Sequence, residues 1–281
     1  MTVSAQIDAH LPALTRAERR VAAVVADDPE AIAFGTVADV ARRSGASGAT
    51  VVRLATKLGF EGFVDLQASV REELARRLRP ASERIRRPAA GDVLGTALAV
   101  EMSNVAATLD GVERSDFERA VRSLSARSSA RILVLSGDAS SGLAALFATE
   151  LSMLRTGVVH VEGSAVRVAR QLSDVGPADV VVAIDLARYD RAVLEAAGAA
   201  AERGATLIAL TDSALSPLGS AAAVCFTASV NGAGPFDSHV GLLALGNALL
   251  AGVAARLRRS ATDRLDEVEA AWRAAAALTD G

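Results

Sequence analysis

A single cysteine, Cys225, stands in this 281-residue sequence, so no intrachain disulfide can form. It lies in an apolar, strand-like run and reads as a small buried hydrophobe. Lysine is almost missing as well: Lys57 is the only one among 30 basic residues. That arginine bias carries no functional meaning. Aromatic residues make up 3% of the chain, so the core must be aliphatic. The N-terminus lacks an apolar signal core, and no apolar run is both long and free of polar residues. The expectation is a cytoplasmic protein with no membrane contact. A formal net charge of −3 excludes a wholly basic nucleic-acid protein, but it hides an asymmetry. Residues 1–90 carry net +3 and residues 91–281 net −6. A mildly basic head on an acidic body fits a DNA-binding head joined to a body with another task.

What the chain does have is concentrated at residues 36–60. Thr36 is placed as an N-cap, with Asp39 three residues on, close to a capping box. Val37, Val40 and Ala41 fall at helical spacing. Gly45 stands where a helix end needs left-handed geometry, and Ser47 is placed to cap the next helix. Val51, Leu54, Ala55 and Leu58 then form one apolar face. Ala49, Val52, Arg53 and Thr56 form the outer face, with Thr50 and Lys57 at its edge. Two short helices around a glycine turn make a helix-turn-helix, whose second helix reads the major groove. A solvated helical hairpin has the same pattern and is the alternative. For the DNA reading, Arg53 and Thr50 are expected at base edges and Lys57, Arg42 and Arg43 at phosphates, with Ser47 at the helix start.

Around this segment, Thr15 and Glu18 make a capping box opening a helix to about residue 27, which Asp28-Pro29 interrupts. A second helix precedes residue 36, and another starts at Phe63 and runs to Leu78. Residues 80–91 are a basic, proline-containing linker between a head at 1–79 and a body at 92–281. The body opens with two amphipathic helices, 93–109 and 116–126. Short β-rich apolar runs follow at 132–135, 158–161, 180–184, 207–210 and 224–227, separated by helical stretches. The fold class is therefore α/β with an all-α N-terminal domain, the body a doubly wound, mainly parallel five-stranded sheet. Helices at 240–257 and 263–278 close the chain.

Ligands of open α/β sheets bind at the carboxyl ends of the strands. Those ends read Ser136 to Gly142, Glu162 to Ser164, Asp185 to Tyr189, and Thr211 to Ser213. Hydroxyls and glycines at such turns hold anions against helix N-termini, although plain turn chemistry looks the same. Gly137, Ser140, Ser141, Asp185, Arg188, Tyr189 and His239 are the candidate ligand residues. Asp237 or Ser238 is placed to cap the helix that follows His239. No catalytic residue, metal or cofactor is expected.

The stretches Leu14 to Val21, Asp28-Pro29-Glu30, Val37 to Ala41, Ala49 to Arg53, Lys57 to Phe60 and Gly62-Phe63 resemble the head of RpiR-type bacterial transcriptional regulators. Gly137 to Gly142, Ala201 to Ala205, Thr211 to Ser213 and Ser216 to Leu218 resemble their sugar isomerase (SIS) domain. The resemblance implies a dimeric repressor or activator that binds operator DNA and senses a phosphorylated sugar or a related metabolite. Two loops depart from the family pattern. Ala139 stands at the second glycine of the usual Gly-x-Gly-x-Ser. After the third strand, Asp185-Leu-Ala-Arg-Tyr-Asp190 replaces Ser-x-Ser-Gly-x-Thr. A carboxylate at Asp185 repels a phosphate, whereas Arg188 attracts one. A ligand-free dimerisation scaffold and a sugar-phosphate isomerase are the alternative functions.

Overall fold

The computed structural model describes residues 3–27, 29–78, 84–85, 91–126, 130–214 and 216–277. The expected linker at 80–91 and the Asp28 break lie largely outside them. The chain divides into two compact units. One comprises Met1–Met102 with Ser213–Ser220 and Asn231–Ser238; the other comprises Ser103–Asp212, Ala221–Val230 and His239–Gly281.

The first unit holds helices α1 (Val3–His10), α2 (Arg16–Asp27), α3 (Pro29–Phe34), α4 (Val37–Ser44), α5 (Gly48–Lys57) and α6 (Phe63–Leu78). Helix α1 was not expected; its Val3 and Ile7, one turn apart, are buried. Val21, Val25, Ile32, Val40, Val51, Leu54, Leu58, Leu66 and Val70 close an aliphatic core around it. That core is why α4 and α5 hold a fixed angle: each contributes one apolar stripe to the same interior.

Helix α7 (Val93–Asp110) runs from the first unit into the second. The second unit continues with α8 (Arg114–Leu124), β1 (Ile132–Ser136), α9 (Ser141–Leu154), β2 (Val158–His160), α10 (Ala165–Leu172), β3 (Val180–Ile184), α11 (Arg191–Glu202) and β4 (Thr206–Thr211). Helix α12 (Pro217–Ala221) belongs to the first unit as far as Ser220, and β5 (Val224–Thr227), α13 (Val240–Leu257) and α14 (Arg259–Ala274) complete the second. The five strands are all parallel, in the order β2-β1-β3-β4-β5. Helices α8, α9, α13 and α14 pack together, and α10 packs on α11, so both sheet faces are covered. Every residue of β3 is buried, as a central parallel strand requires. By length and composition alone α13 could cross a membrane; here Leu242, Leu245, Leu249 and Val253 of that helix sit in the core.

Helix α7, expected only to be amphipathic, buries polar residues. They are Asn104 and Thr108, while Leu94, Leu98 and Met102 are exposed. The cause is local. Ser229 donates its backbone N–H to Thr108 Oγ1 (3.0 Å) and its hydroxyl to Asn104 Oδ1 (2.9 Å). Gly241 of α13 has no Cβ to collide with Thr108 Oγ1, which allows this close approach.

Candidate functional site

In the head, the local signals resolve as hydrogen bonds. Thr36 Oγ1 accepts the Asp39 N–H while the Asp39 carboxylate accepts the Thr36 N–H, a complete capping box. Those bonds, with Arg42, hold the Asp39 carboxyl at about 2, below the ordinary 3.8. Gly45 ends α4 with φ 60°, ψ 31°. Ser47 caps α5 by accepting the Thr50 N–H, and its hydroxyl also pairs with Thr50 Oγ1 (2.9 Å). Arg20 of α2 donates to the carbonyls of Ser44 and Gly45, both at 3.0 Å, and pins the turn to the neighbouring helix. Nothing in the periodicity pointed to Arg20.

The outer face of α5 presents Val52, Arg53 and Thr56 to solvent. Among the described residues Arg53 makes no hydrogen bond or ion pair. Arg42 is exposed and pairs with Asp39 one turn back, and Arg43 is exposed beside it. Lys57 departs from expectation. Its ammonium donates to the Ala13 carbonyl (2.7 Å) and to Glu18 Oε2 (3.0 Å). Glu18 is 3% exposed. Its carboxyl lies below its ordinary range, first because it accepts the Thr15 N–H and then because Lys57 faces it, against an opposing burial effect. Two of the three ammonium donors are thus used within the head, where Lys57 fastens α5 to the start of α2.

In the second unit the strand order reverses between β1 and β3, the switch point where the 2-1-3-4-5 topology places ligands. The candidate ligand residues gather at the strand ends flanking it. Gly137 follows β1, and a Cβ there would overlap the Asp185 carboxylate at the end of β3. A short 3-10 turn, Asp138–Ser140, then leads into α9, with Ser141 exposed at its first position. Ser140 is 1% exposed, and its hydroxyl lies 3.2 Å from His239 Nε2. His239 is the N-cap residue of α13 but makes no capping bond. The expected caps are occupied elsewhere: Asp237 pairs with Arg84 (2.8 Å) and Ser238 donates to Glu101 (2.5 Å), contacts inside the first unit.

The turn after β3 is closed by Asp185. Its Oδ1 accepts the Leu186 N–H (3.0 Å) and its Oδ2 the Asp190 N–H (2.6 Å). Asp185 is 6% exposed. Burial pushes its proton affinity up, opposed by the two amides and reinforced by the nearby Asp190 and Asp212 charges. Between those anchors Arg188 adopts φ 76°, a left-handed backbone seldom found outside glycine, asparagine and aspartate. Its side chain is exposed. Tyr189 donates its hydroxyl to Asp212 Oδ1 (2.6 Å) at the end of β4. Asp212 was not singled out as a site residue; its place at a strand's carboxyl end was the available signal. Among the described residues no group of three histidine, cysteine or acidic side chains is arranged to hold a metal.

Residues 1–77 match the helix-turn-helix domain of the rpiR family, and residues 126–252 match the SIS domain. The sugar isomerase domain of an RpiR transcription factor from Sphaerobacter thermophilus superposes with TM-score 0.57 at 32% identity, over 63% of this chain and 99% of that one. The Vibrio vulnificus NanR protein complexed with ManNAc-6P gives TM-score 0.59 at 21% identity, over 96% and 98%, a likeness of fold. The bifunctional protein glk of Paraburkholderia xenovorans (strain LB400) is 28% identical over 203 residues, 72% of this chain and 31% of its own. This chain thus spans about a third of the length of that curated relative. With a helix-turn-helix head followed by a five-stranded parallel SIS body, and a relative at this identity covered almost end to end, the chain belongs to the RpiR family.

Proposed function

We propose that the chain is a DNA-binding transcriptional regulator whose SIS domain binds a small sugar-derived metabolite at the carboxyl ends of β1 and β3 and so modulates operator binding. The observation that carries this is the Arg53 guanidinium, without a partner among the described residues, on the exposed face of a helix capped by Ser47 and pinned through Arg20. Such a helix enters the major groove with little ordering left to do. Arg53 suits a bidentate contact to guanine, and Val52 beside it suits a thymine methyl. Thr50 stands at the same helix start, while Arg42 and Arg43 flank the groove for phosphates. The name of the Sphaerobacter relative supports the regulatory role, and a regulator of this kind works in the cytoplasm with the DNA.

A homodimer fits α7, whose Leu94, Leu98 and Met102 form a stripe at helical spacing facing outward. Large apolar side chains arranged this way mark an interface, and a second copy would present two heads to half-sites one helical turn apart. An isomerase role is not supported: it needs a free general base beside a phosphate cradle, whereas Asp185 is tied to two amides and His239 to Ser140.

The test is selection of duplexes from a random pool by the full chain, followed by anisotropy titration. Arg53→Ala is expected to lose about 1–3 kcal/mol of specific affinity with an unchanged circular dichroism spectrum. Unchanged operator binding by that variant overturns the role of Arg53, and failure of the parent chain to enrich any duplex overturns the regulator.

A further inference from the structure

The turn between β3 and α11 is where an anionic ligand would find backbone donors, because a helix begins there with unpaired N–H groups at the sheet's switch point. In this chain two donors of the helix start, the Asp190 and Ala192 amides, and the Leu186 amide of the turn are taken by side-chain carboxylates. The Asp185 carboxylate takes the Leu186 and Asp190 amides, and the Asp190 carboxylate takes the Ala192 N–H at 2.8 Å. The same Asp185 oxygen fills the space beside Gly137. Two carboxyl groups facing the turn's amides, one of them packed against Gly137, oppose a phosphate at this position. Asp212, hydrogen-bonded to Tyr189 at the end of β4, adds a third carboxylate nearby.

We infer that Asp185 is the residue that sets ligand class: its carboxylate stands in the place of a ligand phosphate, so the site takes an unphosphorylated sugar derivative, neutral or amino-bearing. This rests on the ligand-sensing role proposed above for the strand ends. With Arg191 exposed at the first position of α11, Arg188 is the cation between the two anchors, exposed on its strained backbone. It therefore defines the competing possibility, a phosphate held outside the turn, which the experiment must detect.

The full chain is titrated calorimetrically with inorganic phosphate, N-acetylmannosamine 6-phosphate and N-acetylmannosamine, in parent, Asp185→Ser, Asp185→Asn and Arg188→Ala forms. Folding is checked by circular dichroism. The parent is expected to show no saturable binding of either phosphate compound. Asp185→Ser, which vacates both the charge and the space, is expected to gain saturable phosphate binding. Asp185→Asn keeps the shape and removes only the charge, and is expected to gain less. Saturable binding of phosphate or the 6-phosphate by the parent overturns the inference whatever the variants do, and its loss in Arg188→Ala would assign the phosphate to that arginine. Folded Asp185 variants that remain blind to phosphate overturn it as well. Operator titration of the same samples is a separate readout, so failure of the regulator role is distinguishable from failure of the Asp185 assignment.

Discussion

Replacing Lys57 by alanine separates a fastening role from a DNA-contacting one. The ammonium makes two hydrogen bonds, to the Ala13 carbonyl and to Glu18, whose side chain is 4% exposed against 32% for the lysine. Stripping the partner from a fully buried ion costs roughly 3–5 kcal/mol. Here water reaches one side of the ammonium, and Glu18 keeps the Thr15 N–H at 2.8 Å. The expected loss is therefore about 1–2 kcal/mol, or several degrees in the melting temperature of a unit this small. The pH dependence follows from Glu18, whose folded pKa lies below its ordinary 4.5. A lowered carboxylate pKa contributes stability above the unfolded value and loses it as pH falls through the folded one. The gap between parent and Lys57→Ala is thus widest near neutrality and narrows below about pH 4.5, as the carboxylate is protonated. Urea melts at several pH values measure it, with Lys57→Met as the variant that keeps the apolar stem. Melting unchanged from the parent, combined with weaker operator binding and a salt slope reduced by about one, would refute the fastening role and restore Lys57 to the phosphates.

Gly45→Ala isolates backbone strain, because no atom lies within 4 Å of the added Cβ while φ is +60°. It should cost about 1 kcal/mol in urea melts, and a neutral result would mean the turn relaxes to another conformation. Replacing Leu94, Leu98 and Met102 together with glutamate should convert a dimer to a folded monomer in sedimentation or light scattering. A dimer that persists would move the interface to another surface.

The calorimetric and operator experiments meet on one question, how the strand-end turns inform the head. A ligand alters operator affinity only through a difference in its affinity for two arrangements of the protein. Asp185 and Arg188 are adjacent in that respect: one closes the turn and the other lies within it with a left-handed backbone. A ligand that relaxes Arg188 would bias the turn between two states, so titrations of Arg188→Gly report whether the left-handed backbone contributes to ligand affinity.

The sequence alone determined what short-range physics controls. The Thr15 and Thr36 capping boxes, the left-handed Gly45, the Ser47 cap and the five β-rich runs each depend on residues within a few positions of one another, so composition and spacing sufficed. The fold class followed because continuous apolar strands alternating with helices admit few solutions. Tertiary structure decided whatever required residues distant in sequence. The order β2-β1-β3-β4-β5 put Gly137 against Asp185, and only that juxtaposition shows the turn filled by its own carboxylate. Lys57 looked like a surface cation until Glu18, 39 positions away, appeared beneath it. Helix α7 read only as amphipathic, and the structure buries its Asn104 and Thr108 against Ser229 while Leu94, Leu98 and Met102 stay exposed. Periodicity finds a stripe, but whether that stripe faces the core or a partner depends on which polar groups must be satisfied inside, and that is settled by packing.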